Sequence, residues 1–140
     1  VLVINAHQGS TAVWGELATW SAKQKNLAGV VIDGAVRDVS AIKKIDLPVF
    51  CRHTVSNAGE PKGFGERNTC ILCGGQQVSP GDWIVGDASG VVVVPCKKGQ
   101  EIANRSLDVK EHENRIREEI KRGKSLSEVM YLEKWEVQKK

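Results

Sequence analysis

The sequence predicts an α/β fold, a layered sandwich with helices outside a β core, and three observations predict it. Apolar, β-branched runs of strand length alternate with short helical patterns over residues 1–52, the rhythm of parallel strands joined by covering helices. Residues 70–94 break into short apolar stretches separated by glycine-bearing turns, which adds a second, closely turned, sheet-rich half. The 140 residues are 41% hydrophobic and 26% charged, the balance of a folded chain that holds one core and has little room for two. With two Phe and one Tyr, that core must be built from valine and isoleucine.

Residues 1–5 read as a buried strand, already under way at Val1 and without an initiator Met, so the chain has the look of a fragment or trimmed domain. Val13, Leu17 and Trp20, at i, i+4 and i+7, make one apolar stripe of a helix. Residues 28–33 are a β-branched run closed by Asp33-Gly34, hence a strand and then a turn. Val39, Ile42 and Ile45 fall three apart on a short helix. It must end before Pro48, because the residue ahead of a proline avoids the αR region. Residues 49–52 form another strand, and 56–68, rich in Gly, Asn, Pro and charge, a long loop of the kind that often carries function. Strands follow at 70–73, 83–85 and 91–94, with turns at Pro80-Gly81-Asp82 and at 87–90.

The remainder is helical. Ile102, Val109, Ile116 and Ile120 give a thin stripe on a charged helix, and Gly123 is its natural C′ terminator. Ser125-Leu126-Ser127-Glu128 is a capping box opening a second helix that carries Leu126, Val129 and Met130. So narrow a stripe on so polar a helix predicts packing on another surface, a neighbouring subunit. The chain thus divides into an α/β domain over 1–96 and a helical extension over 97–140.

Charge excludes some functions. The net +3 lies wholly in the extension, where twelve Lys/Arg face nine Asp/Glu, while residues 1–96 carry eight of each. A mixed-sign helix is a solvated face rather than the dense basic patch of a nucleic-acid binder. No apolar run reaches the roughly 18 residues of a membrane span, and no basic-then-apolar leader opens the chain. The expected setting is soluble and cytoplasmic. Cys51, Cys70, Cys73 and Cys96 lack the two convergent pairs of a structural zinc site and read as buried, reduced thiols without a disulfide framework.

Arg37-Asp38 is the pair most suited to chemistry. It follows a buried strand and precedes a helix, the place where open α/β sheets put their ligands. There a guanidinium can clamp a carboxylate bidentately, beside free helix N–H groups, and Asp38 offers a hard oxygen to a divalent cation. The plain alternative, of equal weight from spacing alone, is an ion pair with Asp38 as helix N-cap. Trp14-Gly15-Glu16-Leu17 would expose backbone donors and a second carboxylate, although a first-turn Glu is also what a helix dipole favours. Gly63-Phe64-Gly65 lacks the third glycine and the strand-to-helix context of a dinucleotide fingerprint and reads as a flexible loop. His7, His53 and His112 have no helical zinc partner, and no Ser or Cys sits in a nucleophile elbow.

Taken together, Glu16, a gap of twenty residues and then Arg37-Asp38 resemble the signature of the 4-hydroxy-4-methyl-2-oxoglutarate / 4-carboxy-4-hydroxy-2-oxoadipate aldolases. That group also includes the RraA-like regulators of ribonuclease E activity. The segments 14–19, 29–38, 78–83 and 90–95 look like that group, as does the tail from Glu111 onward. The resemblance implies a swivelling β/β/α-type sandwich with C-terminal helices, assembled as trimers or hexamers with sites between subunits. It implies a class II aldolase that cleaves 4-hydroxy-2-oxo acids to pyruvate and also decarboxylates oxaloacetate. By similarity, Asp38 would bind Mg²⁺ or Mn²⁺ directly, and Glu16 would do so through water. Arg37 would grip substrate beside the N–H groups of Gly15, Glu16 and Leu17. A neighbouring subunit would add Glu111 through water, with Glu113 as second choice. The N-terminal helical region of family members is missing from this sequence. Non-catalytic regulators of the group typically lack the Asp after the Arg, and Asp38 favours an enzyme. A demethylmenaquinone methyltransferase reading finds no glycine-rich nucleotide motif here.

Overall fold

The computed structural model describes residues 1–60, 63 and 65–130, in two units, Val1–Cys96 and the residues from Lys97 on. Four parallel strands organise the first unit: β1 (Leu2–Asn5), β2 (Ala12–Trp14), β3 (Val30–Val36) and β4 (Val49–Thr54). β1 pairs with Val30 to Asp33 and β2 with Ala35 and Val36, so the two share one edge of β3 in succession. β4 takes the opposite edge, from Val30↔Val49 to Val36↔Thr54. A strand paired on both edges should read as an apolar run, and β3 does so except at Asp33 and Gly34.

Ala22 of α1 (Glu16–Gln24), Ile42 of α2 (Val39–Ile42), and Ile45 and Leu47 of the segment after α2 pack with Val30, Ile32 and Val36 in the main core, so Ile45 lies beyond the helix expected to carry it. Two antiparallel hairpins complete the unit: β5 (Ile71–Cys73) with β6 (Gln76–Val78), and β7 (Trp83–Asp87) with β8 (Gly90–Val94). Phe50 of β4 lies so close to β7 that a Cβ on Gly86 would meet its ring at 2.7 Å. The layered α/β architecture is thus as the sequence predicts.

Four local expectations need correction. First, β3 does not turn at Asp33-Gly34 but runs on to Val36. Gly34 is there for close approach, since a Cβ would stand 2.6 Å from Cβ of Ala6. Second, Val13, Leu17 and Trp20 do not form one buried helical stripe. Val13 lies on β2, Leu17 is 80% exposed, and the inner face of α1 is Thr19 and Ala22. Small inner residues let the helix sit close to the sheet, so its larger apolar side chains point away. Third, β6 was not anticipated. Gly74 and Gly75 both have positive φ (60° and 79°), the two-residue type I′ connection of a tight hairpin. Fourth, the cysteines are free but not buried: Cys51, Cys70 and Cys96 are exposed and Cys73 is half-buried.

In the second unit, α3 (Gly99–Lys121) is one long polar helix. It ends as expected at Gly123 (φ 99°), whose N–H reaches the Ile120 carbonyl. Ser125 and Glu128 form the predicted capping box at α4 (Leu126–Val129), the Ser125 N–H donating to Oε2 of Glu128 at 2.6 Å. Phe64 and the last ten positions, including Tyr131 and Trp135, lie outside the described residues. No described helix is long and apolar enough to cross a membrane.

One buried ion pair ties the hairpin layer to the parallel sheet. Asp33, 6% exposed, accepts from Nε of Arg52 at 2.6 Å and from the N–H of Gly74 at 2.8 Å. The Arg52 hydrogen bond, then that of Gly74, holds the Asp33 carboxyl below its ordinary value. A lowered folded value means that its stabilisation is complete above the unfolded carboxylate range and is lost as pH falls through it. Urea midpoints should therefore be flat above about pH 5 and fall below it. Arg52→Met should cost about 1–3 kcal/mol at neutral pH, because a buried carboxylate loses a partner. An unchanged midpoint in that variant would show the pair to be dispensable.

Candidate functional site

Where β3 ends, the chain enters Arg37 and then Asp38, and Asp38 adopts a left-handed conformation (φ 59°, ψ 34°). That region is disfavoured for any residue with a Cβ, though Asp tolerates it better than most. The twist decides where the carboxylate goes. Asp38 is the N-cap of α2 by its backbone, its carbonyl accepting from Ala41 and Ile42 at 3.0 Å each, yet its side chain makes no capping bond. Instead Oδ2 turns to the start of α1, taking the Glu16 N–H at 3.3 Å and lying 3.4 Å from Nε of Arg37. Of the plain alternative, the ion pair is present and Asp38 is the N-cap by its backbone, without a side-chain capping bond.

α1 is placed to receive that carboxylate. The Arg37 N–H donates to the Trp14 carbonyl at 3.0 Å, which sets the end of β2 beside the end of β3. Gly15 follows in extended conformation (φ −161°), where any residue is at ease, so its lack of a side chain matters only for space. A Cβ at Gly15 would lie 2.7 Å from Oδ2 of Asp38 and 3.3 Å from Nε of Arg37. Asp38, Arg37, Glu16, Gly15, Leu17 and Ala58 line an open cavity of about 190 Å³. Ala58 arrives there because the long loop bridges back to β2, pairing with Ala12.

The cavity therefore gathers Glu16, Arg37 and Asp38, with Gly15 and Leu17, all named from the sequence. Arg37 and Asp38 are each under half exposed, at 45% and 40%, so solvent and ligand reach both. Glu111 and Glu113 stand mid-helix on α3 with exposed side chains, and all lining residues of the cavity belong to the first unit. His53 lies within β4 rather than after it, and His7 begins a turn with φ 51°.

Among the described residues no three His, Cys, Asp or Glu side chains converge as a metal cluster. What the cavity does offer is one carboxylate, Asp38, whose contacts all fall on Oδ2, and a second nearby on Glu16. Few protein oxygens with room for water suit Mg²⁺ or Mn²⁺, which keep much of their hydration, and do not suit Zn²⁺. The donor set fits a hydrated hard cation.

The sequence reading missed the buried polar residues. Thr19, wholly buried, takes the indole N–H of Trp14 at 2.8 Å and donates to the Gly15 carbonyl at 2.8 Å. Asp33 and Arg52 border a second cavity of about 480 Å³ between the sheet and the hairpins, together with Cys51 and Cys73. Partial desolvation raises both thiols above their ordinary value, and the Asp33 charge adds to the effect at Cys73. A lone Thr, or an Asp within an apolar run, was the only signal available.

A family model described as RraA-like, Aldolase/RraA, matches residues 1–93. An uncharacterized protein of Methanocaldococcus jannaschii is 47% identical over 131 residues, covering 94% of this chain and 63% of its own. A Halalkalibacterium halodurans protein, provisionally named a 4-hydroxy-4-methyl-2-oxoglutarate aldolase, is 47% identical over 102 residues, or 72% of this chain and 48% of its own. Among solved structures, Streptomyces coelicolor RraAS2, described as an unusual member of the RNase ES inhibitor RraA family, superposes with a TM-score of 0.77 at 30% identity. It covers 84% of this chain and 61% of that one. The chain thus spans less than two thirds of the length of each.

Left-handed strain at Asp38 gives a test of why the residue is there. Asp38→Gly should keep the urea midpoint or raise stability by up to about 1 kcal/mol, since glycine accepts this backbone freely. A loss larger than that would mean that Asp38 serves the fold.

Proposed function

Because the chain belongs to the RraA-like family and turns Asp38, Arg37 and Glu16 into one cavity, we propose that it is the catalytic part of a divalent-metal-dependent pyruvate aldolase. The observation that carries this reading is the Asp38 carboxylate, held in a strained backbone conformation, facing away from its own helix and toward α1. Strain of this kind persists where surrounding structure enforces it, and it clusters at working sites. The relatives named as aldolases support the same reaction class.

Asp38 would hold Mg²⁺ or Mn²⁺ directly, with Glu16 and, from a neighbouring copy, Glu111 acting through water. When bound, such a cation supplies Lewis acidity to the keto and carboxylate oxygens of a 2-oxo acid. The protein groups do the rest. Arg37 presents a planar fork to the substrate carboxylate or keto oxygen, fixing orientation by paired hydrogen bonds. Its positive charge also favours the enolate left by carbon–carbon cleavage, because that charge develops where the guanidinium already stands. The backbone N–H groups of Gly15 and Leu17 add donors at the positive end of α1, beside the Glu16 N–H that holds Asp38. Among the described residues no lysine lines the cavity, so none of them offers an amine for a Schiff base with the keto group. Oxaloacetate loses CO₂ through the same enolate and should be a substrate.

A trimeric or hexameric assembly belongs to this proposal. Leu107 and Val109 of α3 remain more than half or half exposed in the single chain, at 58% and 50%, which suits a helix that packs on another copy. The second reading is a non-catalytic regulator, favoured by the RraAS2 likeness; Asp38 argues for the enzyme.

Pyruvate release from oxaloacetate and from 4-hydroxy-4-methyl-2-oxoglutarate tests the proposal directly. Turnover should require Mg²⁺ or Mn²⁺, stop with EDTA, and vanish in a folded Asp38→Ala protein. Metal-independent turnover would remove the cation from the proposal, and no turnover in a folded oligomer would move the weight to the regulator. Arg37→Lys should lower kcat/KM on the order of 100-fold, the usual cost of losing a fixed charge-stabilising donor; near-normal values would make Arg37 structural. If Glu111 acts in trans, specific activity should fall on dilution below the assembly constant, and a fully active monomer would exclude it.

A further inference from the structure

Thr19 is fully buried on the inner face of α1, where a helix packed on a sheet would ordinarily carry an apolar residue. Its hydroxyl is saturated: it accepts from Nε1 of Trp14 and donates to the Gly15 carbonyl, both at 2.8 Å. The Thr19 backbone N–H reaches the same carbonyl at 3.1 Å. A threonine bonding back four residues is a common helical habit. What sets this one apart is the peptide that it holds. The Gly15 carbonyl and the Glu16 N–H belong to one planar, trans peptide and so point in opposite directions. At the far end of that plane the Glu16 N–H donates to Oδ2 of Asp38 at 3.3 Å.

Thr19 and Asp38 therefore pull on opposite ends of a single rigid plate. The plate joins Gly15 to Glu16, and an anchor at each end fixes its orientation. Trp14 closes the arrangement, because its backbone carbonyl takes the Arg37 N–H at 3.0 Å while its indole N–H donates to the Thr19 hydroxyl. We propose that Thr19, backed by Trp14, is a positioning residue that orients the Gly15–Glu16 peptide so that its N–H meets the Asp38 carboxylate. Its relevance to cation binding rests on the function proposed above, whereas the geometry does not.

The test is amide NMR on the full chain at neutral pH. Asp38→Asn, which removes the charged acceptor, should move the Glu16 amide proton upfield. Thr19→Val, which keeps the shape and removes the hydroxyl, should reproduce more than half of that displacement, and Thr19→Ser should return the resonance to its wild-type position. Trp14→Phe, which leaves the Thr19 hydroxyl without its indole donor, should also displace it upfield and stands in if Thr19→Val fails to fold. A wild-type resonance position in folded Thr19→Val or Trp14→Phe, or a displacement in Thr19→Ser as large as in Thr19→Val, would overturn the proposal. Mn²⁺ titration read by electron paramagnetic resonance adds a second arm, with several-fold weaker binding in Thr19→Val and recovery in Thr19→Ser. If the wild type binds no Mn²⁺, the metal reading fails while the Glu16 amide still decides the role of Thr19.

Discussion

Pairing of β3 along both edges is the constraint on which the first unit depends. With β1 and β2 sharing one edge and β4 filling the other, the strand has no freedom to shift register. A slip by one residue would turn Val30 and Ile32 away from the helices and bring Val31 toward them. That fixed register places the end of β3 beside the end of β2. Arg37 and Asp38 leave one strand where Gly15 and α1 leave the other, and the cavity lies between them. The chemistry-bearing residues thus stand at the carboxyl ends of parallel strands, where the backbone leaves unpaired donors and the helices begin.

Two polar devices hold this frame, and they differ in kind. Asp33 and Arg52 form a short ion pair, nearly dry on the Asp side, that pins the β5–β6 turn through Gly74. Such a pair helps to specify which hairpin sits where, since the buried Asp33 carboxylate is costly to leave unpaired. Arg37 and Asp38 are looser, at 3.4 Å and open to solvent. An exposed pair of that length contributes little to stability. Its neighbours keep it in place: a glycine without room for a Cβ, a left-handed backbone and an amide aimed at one carboxylate oxygen. The first device is built for the fold. The second is organised around an open space.

The second unit was the most legible stretch. Gly123 and the Ser125–Glu128 box stop one helix and start another through bonds between residues a few positions apart. Helix-end chemistry of that kind is local, so sequence alone suffices to read it. The apolar side chains of α3 are a different matter. Their spacing shows a stripe, and a stripe does not identify the surface that covers it.

The same division runs through the first unit. The sequence by itself determined the alternation of strands and helices and the parallel pairing that follows from it. It also placed Arg37-Asp38 at a strand-to-helix junction and Glu16 at the start of a helix. These depend on hydrophobic period, β-branching and chain order, all present in the residues themselves. Tertiary structure alone decided that Asp33-Gly34 continues a strand, because Gly34 answers to Ala6 rather than to a turn. It decided that α1 faces inward with Thr19 and Ala22 and outward with Leu17, because closeness to the sheet, not side-chain size, chose the buried face. And it decided that the Asp38 carboxylate points to α1 instead of capping α2, because a left-handed residue sends its side chain away from the helix that it begins.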